Sequence, residues 1–502
     1  MSCVKEKFLP GRGHGENVRH RTVPSVLLTV FLFVMAGVLY FSFISRGPFH
    51  VDVVQTAQAI RDTKESGIFH YRSTGTGEPL LNAAGLLVSV AASPFMNLGE
   101  IRILNLLAVF FGACGVAVAC RCMGKFMERD AAAAAAVILM VFPLYFSLST
   151  FGKSNIMSFL FSAAALLFAK KYTEDAGRKN LLFSFLCVGI VAGVRIVDGA
   201  ILYIAITFLC VLFRTRMRDW IYGTGLFFFL LVVCYAPMAV REGWSRYRYQ
   251  LSSPYRSQWR GFVFPLRAIA EMIRLLNPAG VLCAAWGMVR MFREKTQRRW
   301  VYAFLLWGAL VFVICGNATT YSVRNLLPFC LALFIFVGKG LERTLSLPRR
   351  FAWVTVLTVL FVASYSMRIF PLAAFRHRFA LQKAFARRVE RAAGEGSAII
   401  AVDESDFLKY YTRCEVVTRP ISCEHKEIGR YMEDRIAPLL SQRQVYIVST
   451  GLFSYDPCGT FREYLRTHYR LIPVFTAVNE DWHHKSVSTG VFYETLYRLE
   501  RK

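Results

Sequence analysis

The stretch RGPFHVDVVQTAQAIRDTKESGIFHYRSTGTGEPLLNAAGLLVSVAASP, residues 46–94, follows the first long apolar run of the chain, residues 23–45. Within it, residues 51–66 carry apolar side chains at helical spacing with polar ones between them, which predicts an amphipathic helix. Asp52 stands at the start of this helix, a few residues beyond the end of the apolar run. We therefore expect a polar loop at a membrane surface that presents a carboxylate there.

The composition around this loop is that of a polytopic α-helical membrane protein. The 502 residues are 55% hydrophobic, with a mean hydropathy of +0.40, whereas soluble domains contain about 45–50% apolar residues. A membrane-spanning helix needs about 20 predominantly apolar residues. On that criterion we predict eleven transmembrane helices, near residues 23–45, 101–120, 131–150, 156–169, 181–194, 199–213, 220–240, 277–292, 300–316, 323–341 and 351–368.

The basic residues predict the orientation of these helices. A formal net charge of +27 would indicate a nucleic-acid partner in a soluble chain, but here Lys and Arg cluster in short loops such as 121–129 and 170–179, which is the positive-inside pattern. Residues 80–92 are apolar enough for one more span, yet that crossing would move these loops outside. We therefore interpret residues 80–92 as a second surface helix of the outer loop 46–100, and residues 1–22 as the cytoplasmic start of a multi-pass inner-membrane protein.

The carboxyl-terminal part of the chain, residues 371–502, is polar and alternates strand-like with helical patterns. This alternation predicts a small soluble α/β domain with a mostly parallel core. An odd number of crossings makes the domain extracytoplasmic, where Cys414, Cys423 and Cys458 can supply one disulfide. The domain contains no glycine-rich phosphate loop and no serine-hydrolase or zinc-protease motif, so we interpret it as an accessory domain.

A second long outer loop, residues 241–276, interleaves arginine with tyrosine and tryptophan and includes Tyr247, Tyr255 and Arg256. One interpretation is an aromatic belt at the membrane interface, with arginines that reach lipid headgroups. The other is a lid that binds an anionic, sugar-bearing ligand, because guanidinium groups match phosphate oxygens and aromatic rings match sugar faces.

Several short motifs follow one another along residues 23–370. They are Phe49-His50-Val51-Asp52, Gly67-Ile68-Phe69-His70, Gly77-Glu78-Pro79-Leu80-Leu81, Arg102-Ile103-Leu104-Asn105, Gly193-Val194-Arg195-Ile196-Val197-Asp198 and Val323-Arg324-Asn325-Leu326-Leu327-Pro328. Their order and spacing resemble the GT-C class of integral-membrane glycosyltransferases, which includes protein O-mannosyltransferases, aminoarabinose transferases and lipopolysaccharide-sugar transferases. The resemblance implies a GT-C-like membrane domain over these residues.

The resemblance also implies a chemistry. The donor would be a sugar linked through phosphate to a polyprenyl lipid, and the acceptor would be lipid-linked or part of the cell envelope, at the outer membrane face. In that reaction a carboxylate takes the proton of the acceptor hydroxyl and cations stabilise the leaving phosphate. Asp52 is the candidate base, and Glu78 is the candidate second acid. The candidates for binding the donor phosphate are Arg195, Arg324 and Arg256, and those for the substrate loops are His50, His70, Tyr247, Tyr255 and Asn155.

Several of these roles have structural alternatives. Asp52 can cap the surface helix, Glu78 can be an ordinary loop residue, and Arg195 can be held by Asp198. Many GT-C proteins carry an acidic residue in the loop after the third span, where this chain has Lys153-Ser154-Asn155. No cofactor is required on these grounds, and a divalent metal, the sugar, the acceptor and the choice between inversion and retention are left open.

Functions of two other classes are alternatives. A transporter or flippase of an anionic lipid predicts charged residues at mid-bilayer positions and repeated halves, and neither is clear in the sequence. A non-catalytic envelope assembly protein predicts that Asp52 points away from the cavity of the bundle.

Overall fold

The computed structural model describes residues 26–47, 51–70, 78–92, 98–242, 263–316, 323–342, 350–378, 381–402, 405–418, 424–449, 456, 458–478 and 493–502. The helices of the first part are α1 (Val26–Ser42), α2 (Val51–Ser66), α3 (Pro79–Ala92), α4 (Glu100–Met123), α5 (Arg129–Val141), α6 (Pro143–Ser149), α7 (Ser154–Asp175), α8 (Arg178–Val194), α9 (Ile196–Leu212) and α10 (Met217–Glu242). They are followed by α11 (Val263–Arg293), α12 (Lys295–Gly316), a 3₁₀ turn (Val323–Leu326), α13 (Leu327–Leu341), α14 (Arg350–Arg378) and α15 (Leu381–Ala393).

A helix occupies each position at which the sequence predicts a span. Among the described residues, six helices are long and apolar enough to cross a membrane, or seven if the bent pair α5 and α6 forms one span. Shorter apolar helices are Val26–Ser42, Pro79–Ala92, Ile196–Leu212 and Thr355–Pro371. The chain is a multi-pass membrane protein, but the predicted eleven crossings are not confirmed, because several of these helices are shorter than a bilayer requires.

Breaks in the helices coincide with particular residues. Pro143 begins α6, and the axis bends by 63° between α5 and α6. Arg195 is extended, with φ −149° and ψ 102°, and it separates α8 from α9 where the sequence predicted a kink. Asn277 has φ +60° inside α11, directly before Pro278, and a proline disfavours helical geometry in the preceding residue. Its side chain accepts a hydrogen bond from the Gly280 N–H at 2.9 Å and thereby caps the second half of the helix.

The helix ends gather at two ends of the bundle. At the first, the Ser45 N–H donates to the Thr150 carbonyl at 2.9 Å, which joins the end of α1 to the turn between α6 and α7. Because α2 also begins there, we call it the α2 end. At the opposite end, Lys125 and Glu174 form an ion pair at 2.7 Å, which joins the ends of α4 and α7. The two connections of α7 therefore lie at opposite ends of the bundle.

The carboxyl-terminal part contains a five-stranded sheet with the order β2-β1-β3-β5-β4. Its elements are β1 (Ala398–Ala401), α16 (Ser405–Tyr411), β2 (Glu415–Thr418), α17 (His425–Tyr431), a π-helical turn (Met432–Ile436), α18 (Ala437–Gln442), β3 (Val445–Val448), α19 (Thr460–His468), β4 (Tyr469–Val478) and β5 (Tyr493–Arg501). Strand β1 pairs parallel with β2 and β3, whereas β5 pairs antiparallel with β3 and β4.

The prediction of a mostly parallel core is therefore right for only half of the sheet. Parallel neighbours need a crossover connection, and helices supply it between β1, β2 and β3. Strand β5 instead runs back beside β4, which makes that half antiparallel. Strands β1 and β3 have four residues each, and all of them are buried. The residues of β1 point alternately into two hydrophobic clusters on opposite faces of the sheet.

The sheet domain docks on the α2 end of the bundle through α16. Gln55 of α2 donates to the Asp406 carboxylate at 2.5 Å, and the Arg61 guanidinium lies 4.0 Å from the centre of the Tyr410 ring. The Tyr410 hydroxyl donates to Glu100, at the start of α4, at 3.0 Å. The domain therefore contacts α2, the helix whose second residue is the candidate base Asp52.

Candidate active site

Asp52 is the second residue of α2, and its carboxylate faces cations from two other parts of the chain. It forms an ion pair with Lys153 from the turn between α6 and α7, and Arg324 Nη2 lies 3.9 Å from the same carboxylate oxygen. The Asp52 side chain is 19% exposed, whereas that of Lys153 is 1% exposed. Its position in the first turn also suits the helix dipole, so the capping alternative and the contacts with Lys153 and Arg324 are compatible.

The residue before α7 and the first two residues of this helix contribute three consecutive side chains to the cluster. Lys153 pairs with Asp52, and the Ser154 hydroxyl donates to the carboxylate of Glu78, the residue directly before α3. Asn155 donates from its amide nitrogen to the Arg324 carbonyl at 3.1 Å. One short turn thus connects α2, α3 and the 3₁₀ turn before α13, which are far apart in the sequence.

Arg195, in the break between α8 and α9, completes the cluster. Its guanidinium lies 2.9 Å from the Asp198 carboxylate and donates to the Asn325 side-chain carbonyl at 2.9 Å. Asp198 is buried and also accepts a hydrogen bond from Ser158 at 2.9 Å. The alternative in which Asp198 holds Arg195 is therefore correct as a description of the contact, and the same arginine also reaches the segment that carries Arg324.

Burial and neighbouring charges shift the protonation of two groups. Burial raises the pKa of Glu78, although the Ser154 hydroxyl and the arginines at 195 and 324 act to lower it. The pKa of Lys153 lies well below its ordinary value because of burial and of the same two arginines. Both shifts reduce the ionised fraction, as expected for groups withdrawn from water. At the cluster, added negative charge would be stabilised by the arginines and would favour the ammonium form of Lys153.

Asn105, near the start of α4, fixes the relative positions of the two loops that meet here. Its side-chain nitrogen donates to the carbonyls of Ser45 and Gly47, at 2.9 Å and 3.3 Å, and its oxygen accepts from the Gly152 N–H at 2.8 Å. A Cβ atom on Gly152 would stand 2.6 Å from the Cβ of Leu104, so only glycine allows this close approach. Asn105 thereby holds the chain entering α2 against the turn that carries Lys153.

The structure brings together Asp52, Glu78, Asn155, Arg195 and Arg324 among the residues predicted from the sequence. His70 lies beyond the far end of α2, where its ring contacts the Ser66 hydroxyl at 2.9 Å. A helix rises about 1.5 Å per residue, so Ser66, which the His70 ring contacts, lies about 21 Å along α2 from Asp52. The remaining candidates, His50, Tyr247, Tyr255 and Arg256, are outside the described residues.

Sequence reasoning did not assign Lys153, Ser154, Ser158 or Asn325 to the site. A signal existed for Lys153, because a lysine is unusual under the positive-inside pattern in a short loop that is predicted to be outer, and the GT-C resemblance implies an acidic residue at this place. The two serines and Asn325 gave no comparable signal, since only the fold brings them to their partners.

The side chains available for a metal are few. Across the part of the chain that the structure describes, no group of three or more His, Cys, Asp and Glu side chains is arranged to hold a metal ion. The carboxylates of Asp52, Glu78 and Asp198 each contact a different side chain, namely Lys153, Ser154 and Arg195. These residues therefore do not fit a divalent metal.

The fold of this chain is similar to that of solved GT-C membrane glycosyltransferases, as the sequence resemblance predicted. ArnT from Cupriavidus metallidurans, bound to undecaprenyl phosphate, has a similar structure, with a TM-score of 0.63 and 15% identity over 94% of this chain and 98% of that one. No family model matches the sequence, and no curated protein sequence matches it significantly.

Two further solved structures share the fold. One is the oligosaccharyltransferase AglB from Archaeoglobus fulgidus in complex with an inhibitory peptide and a dolichol-phosphate, with a TM-score of 0.58 and 11% identity over 89% of this chain and 73% of that one. The other is the arabinofuranosyltransferase AftD from Mycobacteria, with a TM-score of 0.54 and 14% identity over 95% of this chain and 40% of that one. At such identities the similarity shows the fold alone.

Proposed function

We propose that this chain is a membrane glycosyltransferase that transfers one sugar from a polyprenyl-phosphate-linked donor to a lipid-linked or cell-envelope acceptor at the outer membrane face. The observation that carries the proposal is the convergence of two carboxylates, Asp52 and Glu78, with Arg195, Arg324 and Lys153 at one end of the bundle. The fold supports it, since two proteins that share this fold were solved with undecaprenyl phosphate and a dolichol-phosphate.

The chemistry follows from the charges of the cluster. The acceptor hydroxyl gives its proton to the Asp52 carboxylate while its oxygen bonds to the anomeric carbon of the donor sugar. The bond between that carbon and the phosphate oxygen breaks, and the electron pair leaves with the polyprenyl phosphate. Arg324 and Arg195 stabilise the negative charge that develops on the leaving phosphate, and the apolar helices keep the lipid tail in the bilayer.

The orientation proposed for the membrane has two supports. The loops at the opposite end of the bundle, such as residues 121–129 and 170–179, are rich in Lys and Arg, as expected for the cytoplasmic side. Cys458 in the sheet domain is disulfide-bonded, which fits an oxidising compartment. The protein would then lie in the cell (inner) membrane with its amino terminus in the cytoplasm. The sheet domain and the α2 end would be extracytoplasmic.

The test is transfer by the purified full-length chain in lipid nanodiscs, supplied with a panel of polyprenyl-phosphate sugars and envelope glycolipid acceptors. Released polyprenyl phosphate is the readout, and the anomeric configuration of the product distinguishes inversion from retention. Asp52→Asn should lower the rate by about 10²- to 10⁴-fold, the usual contribution of a general base. The matched control is Asp62→Asn on the same helix, where Asp62 accepts a hydrogen bond from Gln58 at 2.7 Å.

Two results would contradict the proposal. Undiminished transfer by Asp52→Asn would remove the base from the mechanism. Absence of transfer with every donor, together with movement of an anionic lipid between the leaflets of proteoliposomes, would instead favour the transporter. In the second case the cluster would be a binding site for a lipid phosphate without a reaction.

A further inference from the structure

Lys153 is the positively charged side chain in this cluster that was assigned no role in the proposed reaction. It is buried, at 2% exposure, and its Nζ pairs with the Asp52 carboxylate that Arg324 also approaches. Its neighbours in the chain, Ser154 and Asn155, are neutral and contact Glu78 and Arg324. The turn therefore brings one positive charge and no negative charge to the candidate base.

A divalent cation beside Asp52 would need oxygen ligands around it. Hard cations such as Mg²⁺ are held by oxygen ligands, commonly one or two carboxylates together with substrate phosphate. Here the turn offers an ammonium group in place of a second carboxylate, and like charges repel strongly where water is excluded. Asp52 is therefore already paired with the cation that a metal would have to displace.

We propose that Lys153 is a catalytic residue that binds the donor phosphate and takes the place of a divalent metal beside Asp52, so that transfer needs no metal. This inference rests on the proposed glycosyl transfer at the same site. When the lipid phosphate arrives, its negative charge favours the ammonium form of Lys153, and together with Arg324 that group stabilises the leaving oxygen. Asp52 then shares its cations with the phosphate and can accept the proton of the acceptor hydroxyl.

The burial of Lys153 is consistent with this role. An ammonium group held within a folded turn is positioned before the substrate arrives, so little reorganisation is needed during the reaction. The lowered pKa of Lys153, caused by burial and the neighbouring arginines, means that an anionic ligand and the proton on Lys153 stabilise each other.

The experiment compares wild type with Lys153→Arg, Lys153→Met and Lys153→Asp as full-length proteins in nanodiscs. Transfer is measured with and without a chelator, and Mn²⁺ binding is measured separately by electron paramagnetic resonance. Lys125→Met is the control, because it removes a lysine–carboxylate pair at the opposite end of the bundle. Thermal unfolding of each variant shows whether it is folded.

We expect wild-type transfer to be unchanged by the chelator and wild type to bind no Mn²⁺. Lys153→Met should lower transfer by about 10²- to 10³-fold, as does loss of one donor to a developing oxyanion, and Lys153→Arg should retain part of the rate. Lys153→Asp should gain Mn²⁺ binding that disappears when Asp52→Asn is added. If Lys153→Asp does not fold, Lys153→Met should bind Mn²⁺, which wild type does not.

Other outcomes overturn the inference. These are loss of wild-type transfer on chelation with recovery in Mg²⁺, Mn²⁺ binding by wild type that depends on Asp52, and full activity of Lys153→Met. If wild type transfers no sugar from any donor, the proposed function fails. The Mn²⁺ titration still decides whether Lys153 takes the place of the metal, because it does not depend on turnover.

Discussion

Two buried lysines, one at each end of the bundle, occupy different electrostatic settings. Lys153 at the α2 end and Lys339 near the end of α13 are each 2% exposed. Lys339 lies 2.7 Å from Glu342 and 2.9 Å from Glu294. Glu342 also accepts a backbone hydrogen bond from Glu128 at 2.9 Å and lies 3.4 Å from Arg290. Two carboxylates of the protein therefore surround the Lys339 ammonium group.

Lys153 has a different balance of charge. It shares the Asp52 carboxylate with Arg324, and the nearby Glu78 has a raised pKa, which favours its neutral form. The comparison supports the proposal that Lys153 serves a ligand, whereas the pairing of Lys339 with two carboxylates serves the fold. Removal of Lys339 leaves Glu294 and Glu342 without their shared cation, which costs stability. An anion that binds at the α2 end would instead meet Lys153 and Arg324, and its binding would stabilise the protein.

The largest expected effect comes from replacing each lysine by methionine. Lys339→Met leaves two carboxylates at the opposite end without their shared cation, and breaking a buried pair in this way costs about 3–5 kcal/mol. Lys153→Met should cost much less, because it removes one of several neighbouring positive charges. Thermal unfolding in nanodiscs measures both variants under one condition. An equal loss of stability in the two would contradict the distinction between a structural and a ligand-binding lysine.

A smaller effect is expected where the sheet domain holds the α2 end. The Tyr410 hydroxyl donates to Glu100, which also lies 3.5 Å from Arg61 and 3.4 Å from Lys64 of α2. Tyr410→Phe removes a hydrogen bond to a charged acceptor, worth about 1.5–3 kcal/mol, and should increase protease cleavage between the bundle and the sheet domain. Tyr411→Phe is the control, because it leaves the hydroxyl on Glu100 in place. Identical cleavage of both variants would show that this contact does not hold the domain.

The sequence predicted the helices well because apolar runs and amphipathic spacing are local properties. The bounds of α2 agree with the predicted 51–66, and the kink at Arg195 lies where charged residues interrupt an apolar run. The number of crossings could not be predicted as well, since length and hydropathy do not say how far a short helix extends into a bilayer. The antiparallel half of the sheet was missed because alternation of strands and helices does not reveal the direction of the last strand.

The site was predictable only in part for a related reason. Arg195 could be selected because a charge beside an apolar span is unusual and commonly functional, and Asp52 and Arg324 because the motifs around them resemble those of GT-C glycosyltransferases. Their partners depend on contacts between residues far apart in the chain, such as Asn325 with Arg195 and Lys153 with Asp52. No sequence pattern encodes those contacts.

The smallest expected effect concerns Glu78 and depends on pH. Because burial raises its pKa in the folded protein, the folded state holds the proton above the ordinary glutamate pKa of about 4.3. The stability that this carboxyl contributes is therefore present at low pH and is lost as the pH rises towards the raised pKa. Glu78→Gln keeps the side-chain shape without the charge.

Glu78→Gln should therefore unfold at the same temperature as wild type near pH 4.5 and at a higher temperature at pH 8. Glu65→Gln, an exposed substitution on α2, should follow wild type at both pH values. A variant less stable than wild type at pH 8 would mean that Arg195 and Arg324 stabilise the ionised carboxylate more than burial disfavours it. Glu78 would then add a full negative charge beside Lys153. The balance of charge around Lys153 would then resemble that around Lys339.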